Sequence, residues 1–106
     1  MRVIALLLSL SACTPTQRTT TLALASSSLI LIDWHQTRSE IVPSCNELNP
    51  VIGPCGERMH PDTYFPIVAL AHIAIGAALP QAWRDVWFGA ITGAQLATVW
   101  SNYRND

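Results

Sequence analysis

The sequence predicts an all-α fold: a small helical membrane protein of about three helices, with a tight C-terminal helical hairpin and an irregular polar loop ahead of it. Two observations carry this expectation. Tyr64 to Trp83 holds no formal charge over 20 residues and Val86 to Tyr103 holds none over 18, which is the length an apolar α-helix needs to match the hydrocarbon core of a bilayer. Half of the chain is hydrophobic and only 12% is charged, where a soluble domain carries about one quarter. The 106 residues leave room for one domain.

The first helix is expected at about residues 19–37. Its apolar stretch from Leu22 to Ile32, with the flanking threonines and Trp34, makes roughly 24 Å of helix, which is short against a hydrocarbon core of about 30 Å. A polar loop follows at 38–63, then a second helix at about 64–80, which Pro80 ends because it has no N–H to continue the ladder. The third is expected at 85–103, with Asp85 as its N-cap. So short a connector forces an antiparallel hairpin. Tyr64, Phe65, Trp83, Trp87, Trp100 and Tyr103 fall near the segment ends, where aromatic belts sit at membrane interfaces.

Within the hairpin, Gly89 and Gly93 form a GxxxG spacing that strips bulk from one stripe for helix packing. Ala74 and Ala78 supply a matching small stripe, so the glycines are expected to pack against the second helix rather than in a dimer. His72 lies in mid-helix, where an ionisable group needs a partner. It is expected to be neutral and hydrogen-bonded. Counting depth from Pro80 and Asp85 puts it level with Thr92 and Gln95, the predicted partners, with Asp33 the next choice.

Charge excludes one class of function. Lysine is absent and the six arginines are spaced singly, so no basic face exists to neutralise phosphates and nucleic acid is not an expected partner. No P-loop, H-E-x-x-H or G-x-S-x-G is present. No cofactor, metal or catalytic residue is therefore predicted, and the chain is expected not to be an enzyme.

The segment from Asp33 to Asp62 concentrates five of the seven acids and two of the three histidines. On a helix running to Arg38, Asp33, Gln36 and Thr37 share one face. Beyond it, Pro50 pushes Asn49 to an extended conformation and Gly53-Pro54 marks a turn. Asp33, Thr37, Glu47 and Asn49 are expected to seat the loop on the helix ends by hydrogen bonds. Cys45 and Cys55 flank this turn. In an oxidising compartment they would form a disulfide; the other reading is two unrelated thiols.

The N-terminus reads Met1-Arg2, an apolar run from Val3, then Leu10-Ser11-Ala12-Cys13 and the polar Thr14-Pro15-Thr16-Gln17. One basic residue, an apolar core and small residues before a cut are the layout of a secretory signal. Ending at a cysteine, it resembles the lipobox of bacterial lipoproteins. That resemblance implies removal of residues 1–12, a lipidated Cys13, and a mature domain of 13–106 with a formal charge of −2. An uncleaved hydrophobic helix with a buried thiol is the competing reading.

Taken together, Asp33, Gln36 and Thr37 after an apolar helix, then Glu47, Asn49, Pro50 and Gly53, then Tyr64-Phe65, Arg84 and Asn102 resemble a pattern in small multi-helix membrane proteins of unknown function. These are associated with phages, prophages and bacterial genomes. The resemblance spans Asp33 to Asn102 and implies a helical membrane protein but no particular activity. The expectation is a non-enzymatic, membrane-anchored lipoprotein of the cell envelope, acting in host lysis as a spanin-like or holin-like factor or in superinfection exclusion. Its partners would be the lipid bilayer and other envelope or lysis proteins, or itself. The alternative is an intramembrane enzyme or metal-binding protein using Asp33, Glu47 and His72.

Overall fold

A computed structural model describes residues 15–104. The apolar N-terminal run and Cys13 lie outside the described residues. The chain is all-helical, with no strand among the described residues: α1 spans Pro15–Gln36, α2 spans Pro61–Ala78 and α3 spans Gln81–Arg104. A five-residue π-helical stretch, Thr37–Ile41, extends α1.

Each boundary has a local cause. Pro15 opens α1, where a missing N–H costs nothing because the first-turn donors have no intrahelical partner. His60 caps α2 by accepting the Asp62 N–H at Nδ1, 3.0 Å, and Pro61 follows in the first turn. Asp62 in that same turn meets the positive end of the helix dipole. After Ala78 only Leu79 and Pro80 intervene before α3 starts at Gln81. Asp85 is thus one turn inside α3 rather than its N-cap.

The buried face of α1 is a single stripe of Ser26, Ile30, Asp33, Thr37 and Ile41, spaced by four, three, four and four residues as a helix requires. α1 runs parallel to α3, and α2 runs antiparallel to both. Bonds from one end to the other fix this register: Thr19 Oγ1 donates to Asp85 Oδ1 at 2.5 Å, Gln36 Nε2 to the Val99 carbonyl at 3.3 Å, and Asn102 Nδ2 to Asp33 Oδ1 at 2.9 Å. Although the shortest turn joins α2 to α3, α1 makes the more extensive contact with α3. The helices lie side by side in a flat body measuring 43 × 33 × 15 Å.

Ile30, Ile52 and Phe65 form the centre of the core, with Trp34 and Tyr64 packed against it. Ile52 comes from the loop and is fully buried, so the loop is part of the fold. Its carbonyl accepts the N–H groups of Arg58 and Met59. Cys45 and Cys55 are joined by a disulfide across the turn. Gly53 sits at φ 85°, and a Cβ there would collide with the Glu57 carboxylate at 2.7 Å, so this turn needs glycine.

Two expectations about packing are corrected. Gly93 has nothing within 4 Å of where a Cβ would stand, and Gly89 meets only Leu22 of α1, at 4.0 Å. The GxxxG stripe does not pack against α2, and Ala74 and Ala78 are exposed. The glycine that admits a close neighbour is Gly76, where a Cβ would overlap the ring of Phe88. The second correction concerns the membrane: among the described residues, no helix is long and apolar enough to cross one. Charge-free length alone overstated α2 and α3. Observed α2 takes in Pro61 and Asp62, α3 takes in Arg84 and Asp85, and polar side chains interrupt both apolar stretches.

Candidate functional site

The end of the bundle that carries the loop holds a half-open cavity of about 500 Å³. Four structural elements contribute to its lining. From the end of α1 come Asp33 and Thr37, from the loop Glu47 and Asn49, from α2 Tyr64 and Phe65, and from α3 Gln95 and Asn102.

Asp33 is the anchor. It is 7% exposed, and its Oδ1 accepts from Thr37 Oγ1 at 3.2 Å and from Asn102 Nδ2 at 2.9 Å. Asn102 also donates to Gln36 Oε1, 3.1 Å away. One asparagine on α3 therefore ties two residues of the α1 face together. Burial pushes the Asp33 carboxyl above its ordinary range; the bonds from Thr37 and Asn102 oppose that shift, and the nearby Glu47 charge adds to it.

The loop presents Glu47 through a small relay of turns. Glu47 Oε1 accepts the Asn49 N–H at 2.9 Å, and Asn49 Oδ1 accepts the Val51 N–H at 2.9 Å, the pattern in which an Asx side chain stands in for a backbone turn. Pro50 leaves its carbonyl to Arg58 Nη1 at 2.7 Å. Gly53 lets the chain turn back so that Ile52 can plug the core beneath.

Gln95 lines the same cavity, and its Oε1 is buried with no hydrogen-bond partner. An orphaned buried acceptor is uncommon enough to need an explanation. Arg84 belongs to the opposite end. Its Nε donates to the Leu79 carbonyl at 2.8 Å and its Nη2 to the Ala77 carbonyl at 2.9 Å, satisfying acceptors that the end of α2 leaves open.

His72 is in a separate network at mid-depth, and its predicted partners were wrong. Trp87 Nε1 donates to His72 Nδ1 at 3.1 Å, and His72 Nε2 lies 2.8 Å from Ser26 Oγ, which in turn donates to the Ala23 carbonyl at 3.1 Å. Because Nδ1 accepts from an indole that can only donate, the proton sits on Nε2 and is given to Ser26. Burial holds the His72 pKa below its ordinary value, consistent with a neutral ring. The depth argument failed by one turn, since α3 begins four residues earlier than Asp85. Ser26 and Trp87 were not identified from the sequence. Ser26 could have been, as a polar residue four before Ile30 on the apolar face of α1.

His72 does not line the cavity that Asp33 and Glu47 share, and among the described residues no group of three or more His, Cys, Asp or Glu could hold a metal ion. The combination of Asp33, Glu47 and His72 that the alternative metal or catalytic reading required is thus not assembled among the described residues. Comparison of the chain with protein-family models, curated proteins and solved structures gives no match.

Proposed function

We propose that this protein is a non-enzymatic, membrane-anchored component of the cell envelope, held by lipid at Cys13 and by the apolar faces of its helices. The observation that carries this reading is an inverted distribution of polarity. Among the described residues fourteen large hydrophobic side chains are exposed and five are buried, while Ser26, Asp33, Thr37 and His72 occupy the interior. Water favours the reverse, because exposed apolar area of this extent marks a surface covered by something else.

The exposed residues are spread over all three helices. Leu24 and Leu31 lie on α1, Ile67, Leu70, Ile73 and Ile75 on α2, and Val86 and Leu96 on α3. A protein partner covers one face, whereas acyl chains cover every face they reach. Trp83 is exposed at one end of α3 and Trp100 and Tyr103 at the other, bracketing the aliphatic zone as interfacial aromatics do. Attachment of this kind requires no crossing helix. A longest dimension of 43 Å favours a role at one membrane, so a spanin-like bridge between two is the weaker of the lysis readings.

The test is fractionation. The full chain should remain in bacterial membranes after an alkaline carbonate wash, and Cys13→Ser should lose its lipid label yet remain largely bound. Adding Leu70→Gln and Ile73→Gln to Cys13→Ser should release it. Recovery of the unaltered protein as a monomer in the soluble fraction would refute the assignment.

A further inference from the structure

We propose that the cavity beneath the loop binds a protonated primary amine, carried on a small organic molecule or on an aminophospholipid headgroup. The proposal goes beyond membrane attachment and does not depend on it. Four features define the ligand. At about 500 Å³ the cavity is far larger than a metal ion, and its lining includes Ile52, Phe65 and Val68 beside the polar groups. The ligand is therefore organic, with carbon to lay against those walls.

Charge supplies the second feature. Two carboxylates, Asp33 and Glu47, line the cavity, and no arginine, lysine or histidine among the described residues does so. An anion would meet repulsion with nothing to offset it, whereas a cation removes the strain of two acids facing one low-dielectric space.

The third feature is hydrogen-bond type. Among the described residues both bonds to Asp33 fall on Oδ1 and the bond to Glu47 falls on Oε1, which leaves the second oxygen of each carboxylate without a described protein donor. Gln95 Oε1 is a further acceptor, buried and without a partner. These three residues, all lining the cavity, offer acceptor atoms. What satisfies them is a cluster of donors, and an alkylammonium offers three N–H groups and no acceptor.

Construction is the fourth. The acceptors are held in place by bonds that do not use the free atoms: Asn102 and Thr37 fix Asp33, the Asn49 backbone fixes Glu47, and the disulfide with buried Ile52 fixes the loop above. Preorganisation of this kind lowers the ordering cost of binding.

The experiment is a titration of the full-length, isotope-labelled protein in detergent with ethanolammonium chloride, against sodium chloride at equal ionic strength, following the amide signals of Asn49, Gln95 and Asn102. Saturable shifts confined to these residues are expected. Glu47→Gln keeps the acceptor for the Asn49 N–H but removes the charge, and should weaken binding about tenfold or more with the rest of the spectrum unchanged. Tetramethylammonium, which has no N–H, should fail to saturate the site. In bicelles, shifts already saturated by phosphatidylethanolamine but absent in phosphatidylglycerol identify the headgroup as the source. Shifts that appear only on adding free amine identify a soluble ligand. No saturable shift with any amine, equal binding of tetramethylammonium, or unaltered affinity in Glu47→Gln would each overturn the proposal.

Discussion

Substituting alanine at each of the three helical glycines separates true close packing from a glycine spacing that merely suggests it. At Gly93 a methyl group enters open space, so Gly93→Ala should stabilise by up to about 1 kcal/mol through helix propensity alone. Gly89→Ala meets Leu22 Cδ1 at 4.0 Å, an ordinary contact, and should behave alike. Gly76→Ala drives its methyl into the Phe88 ring. That ring is 5% exposed and stands edge-on to His72 with centroids 5.2 Å apart, so it cannot swing aside freely. Overpacking costs about 1–3 kcal/mol, of which propensity returns up to about 1, leaving a net loss of up to about 2 kcal/mol. Denaturant unfolding in a mild detergent, followed by tryptophan fluorescence, reads all three. Phe88→Leu should partly rescue Gly76→Ala, with the double variant losing less than the two single losses combined. Gly76→Ala as stable as Gly93→Ala, or no rescue, would refute the packing described here.

Protonation of His72 puts an N–H on Nδ1 facing the indole N–H of Trp87. Since burial lowers the folded pKa below the ordinary 6.5, the stabilisation is fully present above pH 6.5 and is lost as pH falls through that value toward the folded one. Melting temperature should drop below neutral pH, and His72→Leu should remove that part of the slope while costing only about 1 kcal/mol at pH 7.5, because Trp87 retains the His72 carbonyl at 3.1 Å and Ser26 retains Ala23. An unchanged slope in His72→Leu would contradict the neutral assignment. Arg84→Ala should cost about 1–2 kcal/mol by uncapping α2, read by the same unfolding assay, and should leave the amine titration of the cavity unaltered.

The fold class, the three helices and the antiparallel hairpin were legible in the sequence because apolar runs and proline act locally. The shared helical face of Asp33, Gln36 and Thr37 was legible as well, but the bonds expected to seat the loop on the helix ends are not the ones formed: Asp33 bonds Thr37 and Asn102, while Glu47 and Asn49 bond within the loop. What escaped was register. Charge-free windows placed the start of α3 at Asp85, yet Arg84 and Asp85 are helical residues whose charges serve neighbouring chain: Arg84 caps α2, and Asp85 pairs with Thr19 and, at 3.8 Å, with Arg18. Excluding them shifted the helix by one turn and gave His72 the wrong partners. GxxxG misled for a related reason. Spacing identifies a stripe but not what faces it, and the solitary Gly76 shares its face with His72, four residues earlier, so that one face of α2 meets both Trp87 and Phe88.

Polar groups in this bundle fall into two kinds. Those around His72 form a closed set, in which Trp87 gives to His72, His72 to Ser26 and Ser26 to a backbone carbonyl, so every donor in the chain is used. The set around Asp33 is left open. Its donors, Thr37 and Asn102, converge on one carboxylate oxygen, while Gln95 keeps a buried acceptor that nothing in the described chain fills. A network serving stability alone would close as the first one does, because an unpaired buried acceptor costs about 1–3 kcal/mol. Burial raises the Asp33 pKa, a further sign that the folded state holds this carboxylate at a cost. Two networks of similar depth in one small protein, one closed and one open, distinguish a structural interior from a site awaiting donors.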